Sequence, residues 1–196
     1  MNPDKIARLV SEITVPPFFS TIIFFIYSFY LIPAKMQALL VASTLFFLTA
    51  LVPTLYLIYQ LSTGKINHRH VPDKTQRTVP YLIGGACFLT GFVIMSCLKV
   101  PRPILALLLA SAVNVIVITM LNLKWKLSGH ALGAAAGVAA LLVLFGWKVL
   151  GISLVIVLVG WSRLQLKAHS LTEVIAGAAL GFGLTLMQMN IYLRLF

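Results

Sequence analysis

The sequence predicts an all-α integral membrane protein: a single domain over residues 1–196, folded as a bundle of six or seven transmembrane helices. Hydrophobic residues make up 60% of the 196-residue chain and charged residues only 10%, and the mean hydropathy is +1.01. A soluble domain of this size cannot bury so much apolar surface, whereas a bilayer can accept it. The apolar residues also cluster in runs of about 20, the length that a transmembrane helix requires.

Residues 1–14 are expected to form an interfacial amphipathic helix rather than a cleaved signal peptide. This segment carries Asp4, Lys5, Arg8 and Glu12, and no small-residue cleavage pattern follows the first apolar run. A helix with one charged face and one apolar face is expected to lie flat at the bilayer surface.

Seven apolar runs follow, and the sixth is the weakest because Arg163 falls in its last turn. The predicted spans are Val15–Ile32, Met36–Tyr59, Val79–Leu98, Pro103–Leu123, Gly129–Trp147, Val149–Leu166 and Leu171–Leu193. Pro53 is expected to kink the second span, since it has no N–H and its ring crowds the preceding turn. The longest polar connection is loop 60–78, and the other connections are only a few residues long.

The net charge of +11 arises from fifteen Lys and Arg against four acids. Nucleic acid is the first partner to consider for such a chain, but the basic residues lie between apolar runs rather than on one soluble face. The pattern therefore predicts contact with an anionic lipid surface or an anionic substrate group, and no nucleic acid.

Three polar clusters interrupt the apolar pattern: loop 60–78, Leu127–His130 and Ser162–Glu173. An even number of predicted spans separates each cluster from the next, so all three are expected at the same membrane face, here called the loop face. Their convergence predicts one polar site built from distant parts of the chain.

The residue types in these clusters suit phosphate chemistry. His169 and Glu173 are four apart, so on a helix the carboxylate can fix the tautomer of the ring, as a nucleophilic or general-base histidine requires. Arg77 and Arg163 can bind phosphate oxygens in a bidentate manner. Because a divalent metal in phosphate chemistry normally wants several carboxylates, which four acids do not supply, no metal or other cofactor is expected.

A plainer interpretation exists for several of these residues. Lys and Arg at helix ends commonly flank a span and contact lipid head groups. Ser128 is also a favoured residue type for the N-cap of the fifth span.

Two of the clusters resemble conserved motifs of a known family. Leu127-Ser128-Gly129-His130, followed by Ser162-Arg163, five residues, His169, three residues and Glu173, resembles motifs two and three of the type 2 phosphatidic acid phosphatase (PAP2) superfamily, P-S-G-H and S-R-x5-H-x3-D. The stretch 73–80, D-K-T-Q-R-T-V-P, resembles the D-R-K-E-R-I-I-P form found in a compact bacterial branch. The resemblance covers about residues 60–185, with its motif regions at 70–80, 127–130 and 162–173.

The resemblance implies a PAP2-like helical bundle and a role for each matching residue. His169 would be the nucleophile that forms a phosphohistidine, Glu173 would replace the motif's Asp, and His130 would protonate the leaving group. The residues implied to bind phosphate oxygens are Lys74, Arg77, Ser128, Gly129 and Arg163.

Three departures from the motifs carry their own expectations. Leu127 in place of Pro is expected to loosen the turn. Glu173 is one methylene longer than Asp, so its bond to His169 must come from a shifted position. The first motif, K-x6-R-P, places Arg77 on the Arg but His70 on the Lys, and its Pro arrives late, at Pro80; Lys74 would supply the missing positive charge.

The resemblance implies a lipid phosphatase acting on phosphatidic acid, phosphatidylglycerol phosphate, a polyprenyl diphosphate or a lipid A phosphate. A catalytically silent lipid-binding or structural subunit, and a phosphotransferase using the same histidine, remain alternatives. Orientation also stays open. Ten Lys and Arg on the loop face against five on the other favour a cytoplasmic loop face, whereas bacterial members of the family imply a periplasmic site in the inner membrane.

Overall fold

The computed structural model describes residues 2–66 and 74–195, with Lys74 and Thr75 described by their backbone alone. Within these ranges every regular element is a helix, which confirms the all-α prediction. The nine α-helices are α1 Pro3–Ile13, α2 Pro16–Leu31, α3 Lys35–Phe46, α4 Val52–Ser62, α5 Thr78–Cys97, α6 Arg102–Asn122, α7 Gly129–Phe145, α8 Leu154–Gln165 and α9 Leu171–Leu195.

Three short helical segments of other types join or precede these helices. A π-helical turn, Phe47–Leu51, joins α3 to α4, and a 3-10 turn, Lys74–Arg77, precedes α5. The 3-10 segment Gly146–Ser153 joins α7 to α8, beginning at Gly146 with a φ of 69°. This segment explains why α8 begins at Leu154 rather than at the predicted Val149.

Five helical stretches of the described chain are long and apolar enough to cross a membrane. The count becomes six if α1 and α2, which are bent by 55°, form one span. The 37-residue stretch Gly129–Gln165 enters this count once. A straight helix of that length would extend about 55 Å, yet Ser128 N–H donates to Glu173 O at 3.2 Å and Lys126 Nζ donates to Ala168 O at 3.1 Å. Both ends of the stretch therefore lie together, and α7 and α8 form a hairpin, as the two separate apolar runs predict.

The predicted second span has an irregular turn next to Pro53. The π-helical turn Phe47–Leu51 occupies the residues directly before it, where the missing N–H and the pyrrolidine ring interrupt regular hydrogen bonding. The helical path then continues to Ser62.

The closest helix pair consists of α7 and α9, and glycine makes it possible. A Cβ atom on Gly177 would lie 2.6 Å from the carbonyl oxygen of Ser128, and one on Gly181 would overlap the carbonyl oxygen of Leu132. Glycines four residues apart let two helix backbones approach in this way. The contact sets the start of α9 directly against the start of α7.

The N-terminal segment folds as the predicted amphipathic helix. In α1, Ala7 and Ser11 are buried against the bundle, whereas Leu9 and Ile13 are more than half exposed on the other side. Gln165 Nε2 donates to Asp4 Oδ1 at 2.9 Å, which ties α1 to the end of α8.

The polar connection is shorter than the predicted loop 60–78. Helix α4 extends to Ser62, and the 3-10 turn begins at Lys74. His70 and Asp73 lie outside the described residues.

Candidate active site

The structure brings residues from three separate parts of the chain to one end of the bundle. Arg77, His130, Arg163 and His169 line the same end of a single cavity; this set is called the cavity mouth below. Arg77 comes from the turn before α5, His130 from the start of α7, and Arg163 and His169 from either side of the α8–α9 turn.

His169 and Glu173 form the predicted pair. His169 Nδ1 lies 2.8 Å from Glu173 Oε2, and the imidazole is 3% exposed. The same carboxylate oxygen accepts a hydrogen bond from Ser170 N–H at 3.2 Å. The glutamate thus reaches His169 at ordinary hydrogen-bond length and accepts a second hydrogen bond from the residue directly before α9.

The environment keeps His169 neutral. Burial is the largest influence and lowers the pKa of His169 from 6.5 to about 4. The hydrogen bond and charge of Glu173 raise the pKa, and the positive charges of Arg77 and Arg163 lower it further. At pH 7 the ring is therefore uncharged. Since a carboxylate only accepts hydrogen bonds, Nδ1 carries the proton and Nε2 keeps its lone pair.

Arg77 and Arg163 are both buried, at 6% and 4% exposure. Arg77 Nη1 donates to the carbonyl oxygen of Leu127 at 3.3 Å. Arg163 Nη1 donates to Ser11 Oγ at 2.5 Å, and its Nε is buried without an acceptor among the described residues. A buried N–H without an acceptor is unfavourable by about 1–3 kcal/mol, and a phosphate oxygen is an acceptor that suits a guanidinium.

Ser128 lies directly before α7 and caps that helix. Its hydroxyl caps α7 by accepting a hydrogen bond from Ala131 N–H at 3.3 Å, and the residue is fully buried. It does not line the cavity. The structure therefore confirms the N-cap interpretation, and the expected phosphate contact of Ser128 stays a prediction.

Both backbone groups of Leu127 form hydrogen bonds to side chains. Its N–H donates to Asn122 Oδ1 at 3.0 Å, and its carbonyl accepts from Arg77. Proline has no N–H and would lose the first of these bonds. The turn before α7 is therefore held through both the N–H and the carbonyl group of Leu127.

Gly129 and His130 both line the cavity. A Cβ atom on Gly129 would lie 2.9 Å from the hydroxyl oxygen of Tyr81, so a larger residue would displace the tyrosine. His130 follows directly, and its Nε2 is shielded from bulk solvent. Lys74 belongs to the 3-10 turn that leads to Arg77; its side chain lies outside the description, and its contact with phosphate stays a prediction.

Sequence reasoning missed two residues of the site. Tyr81 lines the cavity, with its hydroxyl group close to Gly129 and Arg77. Its spacing of four from Arg77 at the start of α5 is the signal that predicts a shared face. Ser11 bonds Arg163 from a helix 152 residues away, and no local pattern in the sequence indicates this contact.

The cavity has a polar mouth and an apolar body. Its volume is about 280 Å³. Beyond the cavity mouth the walls come from α2, α4, α5, α6 and α7, mainly through apolar side chains that include Phe19, Ile23, Phe24, Phe88 and Leu107. A ligand that fills it must carry an anionic or polar end and a hydrocarbon end.

Comparison of the chain with protein-family models, with curated proteins and with solved structures gave no match. The likeness to the PAP2 superfamily is thus one of short residue patterns.

Proposed function

We propose that the protein is a metal-independent, PAP2-like lipid phosphatase that hydrolyses a phosphomonoester or diphosphate of a membrane lipid. One observation carries the proposal: a neutral, carboxylate-bound histidine and two buried arginines surround the mouth of a cavity whose body is apolar. Two guanidiniums suit the oxygens of a phosphate group, and the mainly apolar cavity body suits hydrocarbon.

The first chemical step is attack by His169. The lone pair on Nε2 forms a bond to phosphorus while the bond from phosphorus to the lipid oxygen breaks. That oxygen takes a proton from His130, and the lipid alcohol leaves. Arg77, Arg163 and the backbone at Gly129 bind the phosphoryl oxygens, and Glu173 stabilises the imidazole as it becomes positive.

The second step returns the enzyme to its starting state. Water attacks the phosphorus of the phosphohistidine and gives its proton to His130. The bond from Nε2 to phosphorus breaks, inorganic phosphate leaves, and His169 is neutral again. Each proton and each bond is accounted for without a further co-reactant.

The decisive experiment measures phosphate release by the purified protein from a panel of lipid phosphates. Wild type should release phosphate from at least one lipid, and His169→Ala should abolish release because the attacking nitrogen is lost. Lys167→Ala, an exposed neighbour on the same turn, is the matched control and should retain activity. Release that survives His169→Ala contradicts the mechanism. Absence of release from every lipid favours the catalytically silent alternative.

The proposed location is a bacterial inner membrane with the cavity mouth on the periplasmic side. Cysteine labelling tests this, using Ser62→Cys at the exposed end of α4 in a background where the exposed Cys97 is replaced by Ser. A membrane-impermeant reagent should label Ser62→Cys in intact cells. Labelling only after lysis places the site in the cytoplasm.

A further inference from the structure

A second polar patch lies deeper in the same cavity, on α6. Ser111 and Asn114 line the cavity together with apolar residues of the same helix face, Leu107, Val115 and Ile118. Residues three apart share a helix face. Polar side chains inside a membrane-spanning helix are unfavourable unless they serve a bonding role or line a ligand path.

Bonds between helices use only part of the hydrogen-bonding capacity of the Asn114 side chain. Its Nδ2 donates to Thr185 Oγ1 at 2.7 Å, and its Oδ1 accepts from Gln188 Nε2 at 3.0 Å. These bonds tie α6 to α9 in the way that polar residues join transmembrane helices. A side-chain amide has two N–H groups and two carbonyl lone pairs, so Asn114 retains one of each beyond these two bonds.

Ser111 has no comparable structural role. Its hydroxyl makes no hydrogen bond to any residue in the described part of the chain. Thr119, on the same helix, bonds back to the carbonyl oxygen of Val115 at 2.6 Å, which is the usual arrangement for a hydroxyl within a helix. The Ser111 hydroxyl thus stands at the cavity wall with its donor and acceptor capacity unused.

The depth of this patch suits a particular part of a lipid. A Cβ atom on Gly129, at the level of the cavity mouth, would lie 3.9 Å from Ile118 Cδ1. Asn114 is four residues further from the mouth along α6, a rise of about 6 Å. In a glycerol-based lipid the ester oxygens follow the phosphate by only a few bonds of about 1.5 Å each.

Resting on the proposed function, we infer that Ser111 and Asn114 form a hydrogen-bonding subsite for the ester oxygens of the substrate lipid. The subsite selects an acyl-ester glycerolipid phosphate over a polyprenyl phosphate, whose chain is hydrocarbon immediately beyond the phosphate. The phosphate occupies the cavity mouth, the ester linkage lies beside Ser111 and Asn114, and the acyl chain continues along the apolar wall.

The test compares binding of three lipids to the His169→Ala protein, which holds a lipid phosphate without cleaving it. The lipids are a diacyl phosphatidic acid, its dialkyl ether analogue and a polyprenyl phosphate of similar length. Because one hydrogen bond is worth roughly 0.5–1.5 kcal/mol, the diacyl lipid should bind about 2- to 10-fold more tightly than the ether. Ser111→Ala should lower that ratio and leave only the share contributed by Asn114.

Matched variants separate recognition from folding. Thr119→Ala, on the same helix but away from the cavity wall, should leave the ester-to-ether ratio unchanged. Asn114→Ala should lower both this ratio and the melting temperature, because it also cuts the α6–α9 bonds, whereas Ser111→Ala should lower the ratio alone.

Two results overturn the subsite: equal affinity of the otherwise intact His169→Ala protein for ester and ether lipids, or a preference that Ser111→Ala leaves unchanged. Tighter binding of the polyprenyl phosphate also overturns it. Failure of the proposed function gives a different result, since a protein with His169 intact would release no phosphate while the ester preference persists. Phosphate release without ester preference overturns the subsite alone.

Discussion

The two halves of the candidate site are held by different kinds of contact. The histidine half, His169 with Glu173, is fixed by contacts between the backbones of α7 and α9. Ser128 N–H donates to Glu173 O, and the absence of a side chain at Gly177 lets the two helices touch. The arginine half, Arg163, is fixed by a side-chain bond to Ser11 on α1, a helix whose outer face is exposed.

The two halves should therefore differ in how easily a mutation disturbs their geometry. Backbone contacts between tightly packed helices change only when the helices move, and moving them requires repacking of the bundle. A side-chain bond to a short peripheral helix can be lost without disturbing the bundle. The nucleophile should therefore tolerate perturbation at the surface, whereas the phosphate-binding arginine should respond to it.

The largest expected effect comes from breaking the backbone contact of the histidine half. Gly181→Ala places a methyl group onto the carbonyl oxygen of Leu132, so α7 and α9 must separate. We expect a loss of about 3 kcal/mol in the free energy of unfolding, the upper range for overpacking. Gly183→Ala, which would meet no atom within 4 Å, should leave the denaturation midpoint unchanged. Equal denaturation midpoints for Gly181→Ala and Gly183→Ala would contradict the claim that close backbone packing of α7 and α9 holds the histidine half.

Next in size is the loss of the carboxylate that holds His169. Glu173→Gln keeps the shape but presents an amide that can donate to Nδ1 and so favour the unreactive tautomer. Phosphate release should fall between about 10²- and 10⁴-fold, as when an orienting carboxylate is lost from a catalytic histidine. Glu173→Asp should retain more activity than Glu173→Gln. A Glu173→Gln enzyme with wild-type kcat would show that the pair has no catalytic role.

A smaller effect is expected in the arginine half. Ser11→Ala removes the bond to Arg163 Nη1 without changing the bundle, so the guanidinium loses its fixed position. Because hydrogen bonds to charged groups contribute roughly 1.5–3 kcal/mol, we expect kcat/KM for the lipid phosphate to fall about tenfold or more, and the melting temperature to fall less than in Gly181→Ala. Lys5→Ala, an exposed change on the same helix, serves as control. A fall in stability equal to the fall in activity would refute the separation of the two halves.

The smallest predicted change is in the titration of His169, followed by NMR of labelled histidine. Its pKa should lie at about 4 in the folded protein. Glu173→Gln should lower this pKa further, because Glu173 raises it, and Arg77→Met should raise it, because Arg77 lowers it. Movement in the opposite directions would contradict the assigned environment.

The same titration has a consequence for stability. His169 takes up a proton near pH 6.5 in the unfolded chain and near pH 4 in the folded protein. Between these values the unfolded state binds more protons, so the free energy of unfolding should fall as the pH drops from about 6.5 to about 4.

Much of the fold was predictable because bilayer-spanning segments must be long and apolar. The predicted spans correspond to α2, α3–α4 and α5 to α9, with the clearest departure at α8, where 3-10 geometry replaces its first turn. Apolar composition carries no information about that geometry, which follows from the turn at Gly146.

In the candidate site, too, local contacts were predictable and tertiary contacts were not. The His169–Glu173 contact follows from a spacing of four on one segment, and hydrogen bonding at that distance is local. The cap made by Ser128 is also local, and it follows from the residue type at the start of a helix. Ser11 and Arg163 meet only through tertiary packing, and Leu127 bonds Asn122 where the motif's proline has no N–H to offer. Neither contact has a signature in the order of residues.

The hydrogen bond from Ser128 N–H to Glu173 O also bears on the dynamics of the histidine half. It joins the first residues of α7, which carry His130, to the first turn of α9, which orients His169. The two imidazoles thus belong to one cooperative unit. That amide can exchange its hydrogen with water only when α7 and α9 part, so its exchange rate reports how often the two histidines lose their alignment.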